Sequence, residues 1–375
     1  MNTSNAPVII HGPGEMPLEE YPDSERLPLA VFQSFLYNQS ADRQSISNAI
    51  AFWDWLPKYA HEACNSEKEV PNAIESHFTY LGQRFKFTQF PGTSRDYRSK
   101  GSDELWVRRF PGIKEQAVEL ALLKLASNEG GVCERQQGER RYGVVFSIRQ
   151  LRRELEAMGH GYNHSQVVQA IDVLTSSEFL LESDNGKAVT RSRIITEYQA
   201  STAKGNARHA PEAQWRVFFH RVVAKAIESA QYRQFDLSRL YSRRSFGITL
   251  VKRLIFASNI SQTSPLRISF KDLRETTSGL NYSRVSEGVA YLEKEIQRLQ
   301  AEGTLSHYEK DVIKVKPPKG GRPAVVDAEF VLYPGESLVA EVKAANVRQT
   351  RVEQELKLSP RTRKERQMTL ALGSE

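Results

Sequence analysis

Ten side chains in two short stretches have the chemistry that base and phosphate recognition needs. Asn163, His164, Ser165, Gln166 and Gln169 lie in one stretch; Asn281, Tyr282, Ser283, Arg284 and Glu287 lie in the other. Glutamine can hold adenine through N6 and N7, and arginine can hold guanine through O6 and N7, each with two hydrogen bonds. Serine can bond either a base or a phosphate. Asn163 and Asn281 carry the short acceptor that closes the first turn of a helix. The plainer alternative is an ordinary solvated helix start.

The two stretches follow one pattern, G-x-N-[H/Y]-S-x-V-x-x-[small]-[I/V]-x-x-L. Ser165 matches Ser283 and Leu174 matches Leu292, a constant offset of 118 residues. Repetition of this kind means two copies of one small fold in series. Val167, Ile171 and Leu174 recur at i, i+4 and i+7, as do Val285, Val289 and Leu292, which predicts one buried helical stripe in each copy. The polar residues then share the opposite face. Gln166 and Arg284 are equivalent positions with different side chains, so the pair would read an asymmetric site. Upstream, Ser147 to Arg152 matches Ser269 to Arg274 at an offset of 122. The change in offset places about four extra residues in the first copy's helix–helix turn.

The flanking sequence predicts the elements that position these residues. Lys114 to Ser127 reads as an amphipathic helix with Val118, Ala121, Leu122 and Leu125 on one face. Tyr142 to Phe146 reads as a strand, Ile148 to Met158 as a helix ended by Gly159, and Asn163 to Ser177 as a further helix. Phe179 to Leu181 and Ala188 to Tyr198 form a hairpin about Asn185-Gly186, a strong turn signal. In the second copy, Trp215 to Ile227 alternates towards strand. Phe246 to Ser258 is helical, Leu266 to Ser269 a strand, and Phe270 to Thr277 and Tyr282 to Glu302 are helices. Thr304 to Lys316 and Ala328 to Tyr333 are strands joined by a Pro/Gly-rich connection.

Helix, strand, helix, helix, hairpin is the order of a winged helix. The expected fold is therefore α+β: tandem winged-helix domains with a small helical N-terminal region. The divisions fall at 1–26 (a mobile segment), 27–100 (helical and aromatic-rich), 103–200 and 212–342 (the winged helices), and 343–375 (a basic helix and tail of conditional order). The aromatic segment is expected to pack a core of its own. Basic residues surround both hairpins: Lys187, Arg191 and Arg193 at the first, and Lys310, Lys314, Lys316, Lys319 and Arg322 at the second. Such wings would neutralise phosphates. Arg239, Arg243, Arg244, Lys252 and Arg253, before and within the first helix of copy two, are further phosphate candidates.

Composition sets the outer limits. The 375 residues carry a formal charge of +7, with 39% hydrophobic and 26% charged residues, as in a water-soluble chain of several domains. A basic excess attracts polyanions, nucleic acid first among them. No run of about 20 apolar residues suggests a membrane span, and the acidic, Pro/Gly-containing start lacks a signal-peptide layout. Cys64 and Cys133 are the only cysteines, too few for a disulfide framework or a Cys-rich zinc cluster, which suits a reducing cytoplasm. Phosphate-loop and dinucleotide-loop motifs are absent, as are paired histidines of metal-ligand spacing. Neither an enzyme, a metal site nor a cofactor is expected.

Three passages carry a resemblance to plasmid replication initiators of the RepA/TrfA type. Ser47 to Tyr59 (SNAIAFWDWLPKY) is similar to a tryptophan-centred segment of RepA-type proteins. Phe110 to Leu122 looks like the entry to the first winged helix of TrfA-like proteins, with Gly112 where those tend to carry a small polar residue. Asp327 to Phe330 together with Glu341 to Asn346 resembles the closing part of the RepA type. The resemblance covers most of Ser45 to Asn346. It implies binding of double-stranded DNA at direct repeats (iterons) of a plasmid origin, opening of adjacent AT-rich DNA, and recruitment of host initiator and replicative helicase. It also implies exchange between an inactive homodimer and an active monomer. A winged-helix transcriptional regulator would share the fold and basic surface, and a protein-binding adaptor is a third class.

Overall fold

The computed structural model describes residues 46–60, 65, 70–80, 82–95, 106–126, 131–136, 139–186, 188–228, 232–240, 245–257, 261, 263–277, 282–316 and 323–355. Among them are nine α-helices and five sheets of two to four strands, a mixed α/β architecture. No helix among the described residues is long and apolar enough to cross a membrane. The segment 1–26 lies outside the described residues, as do Arg243, Arg244 and the chain beyond 355.

Among its described residues, the region expected to be helical is largely β. Strand β1 (Ile46–Ile50) leads into a five-residue helix α1 (Ala51–Trp55), followed by β2 (Ile74–Tyr80) and β3 (Gln83–Gln89), an antiparallel hairpin. Phe78, Tyr80, Phe85 and Phe87 point to one face and are buried. That period of two is the strand signature, which overrides the helical impression left by the aromatic count. A second hairpin, β4 (Gly92–Arg95) and β5 (Trp106–Arg109), follows.

The first repeat unit contains α2 (Ile113–Leu125), β6 (Gly131–Gln136), β7 (Glu139–Ser147), α3 (Ile148–Ala157), α4 (His164–Ser176), β8 (Glu178–Ser183) and β9 (Val189–Arg193). Gly186 turns the β8–β9 hairpin with φ +65°, a conformation that favours glycine. The hairpin does not pair with β7. It joins the N-terminal hairpin in the sheet β2-β3-β8-β9, while β7 pairs with β6 and β11. The chain leaves the hairpin at β9, and β10 (Ile195–Ser201) with β11 (Gln214–Phe219) builds the sheet β10-β11-β7-β6. The stretch 215–227 is only half strand: after β11 comes helix α5 (Arg221–Glu228).

The second unit follows β12 (Tyr232–Asp236), which pairs with β1. It runs α6 (Ser245–Phe256), β13 (Leu266–Ser269), α7 (Phe270–Thr276), α8 (Val285–Ala301), β14 (Leu305–Val315) and β15 (Ala324–Pro334), closing as the sheet β13-β15-β14. Helix α9 (Glu336–Glu355) starts seven residues before the expected Lys343 and buries Leu338, Val342 and Ala345, spaced i, i+4, i+7. It docks near β12, where Arg239 pairs with Glu341 and Arg233 donates to Asn346 Oδ1 at 2.6 Å.

Both repeat motifs fold as helices with their expected stripes. Val167, Ile171, Leu174, Val289 and Leu292 are buried, and Val285 is half-buried. Ser147 and Ser269, matched in sequence, both N-cap the helix that follows, accepting from the amides of Gln150 and Asp272. The small position of the template is a packing requirement. A Cβ on Gly288 would lie 2.4 Å from the Phe270 ring, so α7 and α8 approach as only glycine permits. The first unit's extra residues lengthen its second helix, ten residues in α3 against seven in α7, rather than its turn.

Candidate nucleic-acid interface

The start of α4 is a closed polar structure. Asn163 caps it by accepting from the Gln166 amide at 2.9 Å, and Gln166 Oε1 accepts from the Asn163 amide at 2.9 Å. This reciprocal capping box occupies the side chain expected to read adenine. His164 Nε2 lies 2.7 Å from the Arg208 carbonyl oxygen, and Ser165 is half-buried. Gln169, expected on the exposed face, is buried. Its amide oxygen accepts from Lys114 Nζ at 2.8 Å, and its nitrogen donates to the Arg95 carbonyl. The cause is the β4–β5 hairpin, which packs along α4 and ties in through the Thr93 amide to Ser176 Oγ at 2.8 Å. Asp172 on the same helix is also buried, paired with Arg208 and accepting from Tyr198. Burial pushes its carboxyl up from the ordinary carboxylate range, against those two contacts.

The start of α8 is open by comparison. The helix begins at Val285, later than the expected Tyr282, and its N-cap is Arg284, which makes no side-chain cap bond. Arg284 has 79% of its side chain exposed and reaches Glu287 at only 3.7 Å. Ser283 and Glu287 are exposed, Tyr282 is half-buried, and Asn281 lies outside the described residues.

The hairpins differ in the same sense. At the first, Arg191 and Arg193 both pair with Glu178, at 2.6 and 3.4 Å, and hold its carboxylate below the usual range. At the second, Lys310 pairs with Glu293 at 2.6 Å, whereas Lys314 and Lys316 are exposed with no ion pair among the described residues. Lys187, Lys319 and Arg322 lie outside the described residues. Arg239 and Lys252, phosphate candidates in sequence, are internal: they pair with Glu341 and Asp54, and Arg253 lies over the Trp55 ring at 4.6 Å.

The tryptophan-centred segment holds the two units together. Trp53 Nε1 donates to Glu119 Oε1 at 2.6 Å, Lys58 Nζ meets the same carboxylate at 3.1 Å, and the Tyr59 hydroxyl donates to Glu119 Oε2. Burial alone would raise Glu119, but the ammoniums of Lys58 and Lys252 and the two ring donors outweigh it and hold the carboxyl low. Helices α3 and α4, with β1 and β7, also pack against α2, which is buried from Glu115 to Lys124 rather than along one face. One residue further, Asp54 pairs with Lys252 of α6, in the second unit. His220 stacks on Trp53 at 4.7 Å, and its Nδ1 accepts from the Val222 amide at 3.0 Å, which needs the neutral ring. Burial, and then Lys58, lower its pKa to about 3. Sequence reasoning missed this network, although Lys58, Asp54 and Glu119 stand out as charges set among apolar neighbours. A cleft of about 600 Å³ is lined by β2 and the second unit, with Trp55, Tyr80, Arg84, Arg253 and Arg267 in its walls.

No family of protein sequences matches this chain, and no curated protein does. Two solved structures of RctB domains 2 and 3 are similar to it. One has a TM-score of 0.41 at 12% identity, covering 71% of this chain and 92% of the RctB chain. The other has a TM-score of 0.42 at 10% identity, covering 76% and 98%.

Proposed function

We propose that this chain is a sequence-specific, double-stranded DNA-binding protein of two winged-helix units that initiates replication at an origin. The observation that carries the DNA-binding reading is the second unit's surface. An exposed arginine stands at the open start of α8, and the adjoining long hairpin presents Lys314 and Lys316 with no acidic partner among the described residues. A helix start with an exposed guanidinium suits base edges in the major groove, and exposed lysines on a hairpin suit phosphates. The element order α6, β13, α7, α8, β14, β15, with β13 joined to the hairpin through β15, supports the winged-helix reading there. In the first unit the same helices are present, but the hairpin is shared with β3.

The origin role, the iteron site and the plasmid setting rest on the RepA/TrfA resemblance of Ser47 to Tyr59 and the two further passages. On that reading the protein acts in the cytoplasm as a binding protein without catalytic chemistry or cofactor. Host initiator and helicase are its partners, and a homodimer is its inactive form. Two unlike units in one chain favour an asymmetric repeat bound by a monomer. The test is to footprint the purified protein on the DNA flanking its own gene. Protection of regularly spaced direct repeats, with strand opening beside them, is the expected result. Protection of a single promoter palindrome would instead assign a transcriptional regulator, and absence of binding at low salt would remove both.

A further inference from the structure

The hairpin β14–β15 is longer than its packing requires. Each strand has 11 residues, which at ~3.3 Å per residue spans about 36 Å. Strand β13 pairs only with Glu329–Leu332, so the hairpin has two strands from Ala328 outward. Its base is built into the core, where Ala328, Phe330 and Leu332 are buried. Its outer part is an arm with little behind it, the residues from Lys310 to Lys316 being exposed or half-buried.

The composition of that arm changes along its length. Glu309 and Asp311 stand towards the base, and Lys314 and Lys316 towards the tip. Among the lysines are three exposed β-branched residues: Ile313, Val315 and Val326, at 37, 52 and 44% exposure. Ile313 and Val315 share one face of the strand and Lys314 the other, since successive side chains alternate, and Lys316 follows the strand's last residue. The pairing register shifts between Ile313 and Lys314, so the strand partners Asp327 and Val325 leave Val326 as the extra residue of a bulge. A bulge twists a hairpin and re-aims its tip. Stiff aliphatic side chains at an arm's end do nothing for folding while exposed to water.

We propose that this arm deforms duplex DNA: it enters the minor groove, with Lys314 and Lys316 at phosphates and Ile313, Val315 and Val326 pressed against a base step, which they unstack. Apolar wedges in a minor groove kink and unstack steps, and AT-rich DNA with TA steps yields most readily. The cations among the aliphatic residues select a polyanion over a second copy of this chain, which would bring like charges together. Lysine on an exposed strand also discourages strand-to-strand addition. The inference rests on the DNA-binding reading and deepens it, by assigning the local opening of base stacking to a named element and named side chains.

The experiment uses the full chain and an AT-rich duplex carrying 2-aminopurine at a central TA step, with binding followed separately by anisotropy. The natural protein should bind at low salt and raise the 2-aminopurine fluorescence severalfold. The triple variant Ile313→Ser/Val315→Ser/Val326→Ser should keep affinity and salt slope while losing that rise. Lys314→Ala/Lys316→Ala should weaken binding and flatten the salt slope. An unchanged thermal melt of each variant shows that the body has not unfolded. Binding by the natural protein without a fluorescence rise, or a rise preserved in the triple variant, would overturn the wedge while leaving DNA binding intact. Failure of the natural protein to bind the duplex at low salt would overturn both. A serine variant that changes only the sedimentation mass would assign the arm to self-association and overturn the proposal.

Discussion

The two repeat units share a sequence pattern and differ in what their polar residues are free to do. At α4 the cap, the glutamine and the histidine are bonded within the protein, Gln169 is buried, and Arg191 and Arg193 neutralise Glu178. At α8 Arg284 is exposed, and the hairpin beside it carries Lys314 and Lys316, which have no ion pair among the described residues. One unit is therefore scaffold on much of the polar face of its repeat helix, and the other leaves that face open. Equivalent positions in a repeat need not have equivalent roles; the neighbours acquired by each copy decide.

The largest expected effect comes from breaking the scaffold side of this comparison. Glu119→Ala leaves Lys58 buried and unpaired, and loss of one partner of a buried pair costs about 3–5 kcal/mol. Urea unfolding of this variant should show that loss, while Arg284→Ala should leave the midpoint within the scatter of a surface change. Equal midpoints for the two variants would show that the clasp contributes nothing. Acid should act on the same region. A base whose folded pKa lies below its unfolded value takes up a proton on unfolding between the two, so stability falls as pH drops from about 6.5 towards 3. The groups facing His220 are Lys58, Glu119 and Arg221, and Glu119, held low, pushes stability the same way at its acid end. His220→Gln should flatten the unfolding free energy against pH over that window by up to about 1.4 kcal/mol per pH unit. A slope identical to the natural protein's would contradict a neutral, buried His220.

The next effects sharpen the difference between the two helix starts. Arg284→Ala should cost about 1–3 kcal/mol of site preference and relax specificity at one base pair. Gln166→Ala should instead cost at most about 1 kcal/mol of folding stability through the broken capping box, with specificity kept. A selection from random duplexes, run with both variants, separates these outcomes. The smallest effect is on salt dependence: removing one phosphate-bound lysine lowers the slope of log K against log salt by about 0.9.

Much of this was legible in sequence. The apolar stripes, Ser147 and Ser269 as caps, Asn185-Gly186 as a turn and the long second hairpin all follow from local spacing and side-chain chemistry. The fate of the polar residues was not. Gln169 is buried by Lys114 and Arg95, some 55 and 74 residues away, and Lys252 by Asp54, 198 residues away. Helical periodicity assigns a face but says nothing of what later covers it. The N-terminal hairpin was within reach, since Phe78, Tyr80, Phe85 and Phe87 alternate; a tally of aromatic residues without their period concealed it. The three passages singled out in sequence fall mostly on joints of the fold, including Trp53 with Glu119, Glu341 with Arg239 and Arg233 with Asn346.

The central claim is that the second unit carries the freer DNA surface. Its most direct measurement is the salt dependence of duplex binding for two matched double variants, Lys314→Ala/Lys316→Ala and Arg191→Ala/Arg193→Ala. The account predicts that the lysine pair lowers the slope by about 2, while the arginine pair, already committed to Glu178, changes it far less. An equal drop in both, or a larger one in the arginine pair, would contradict it.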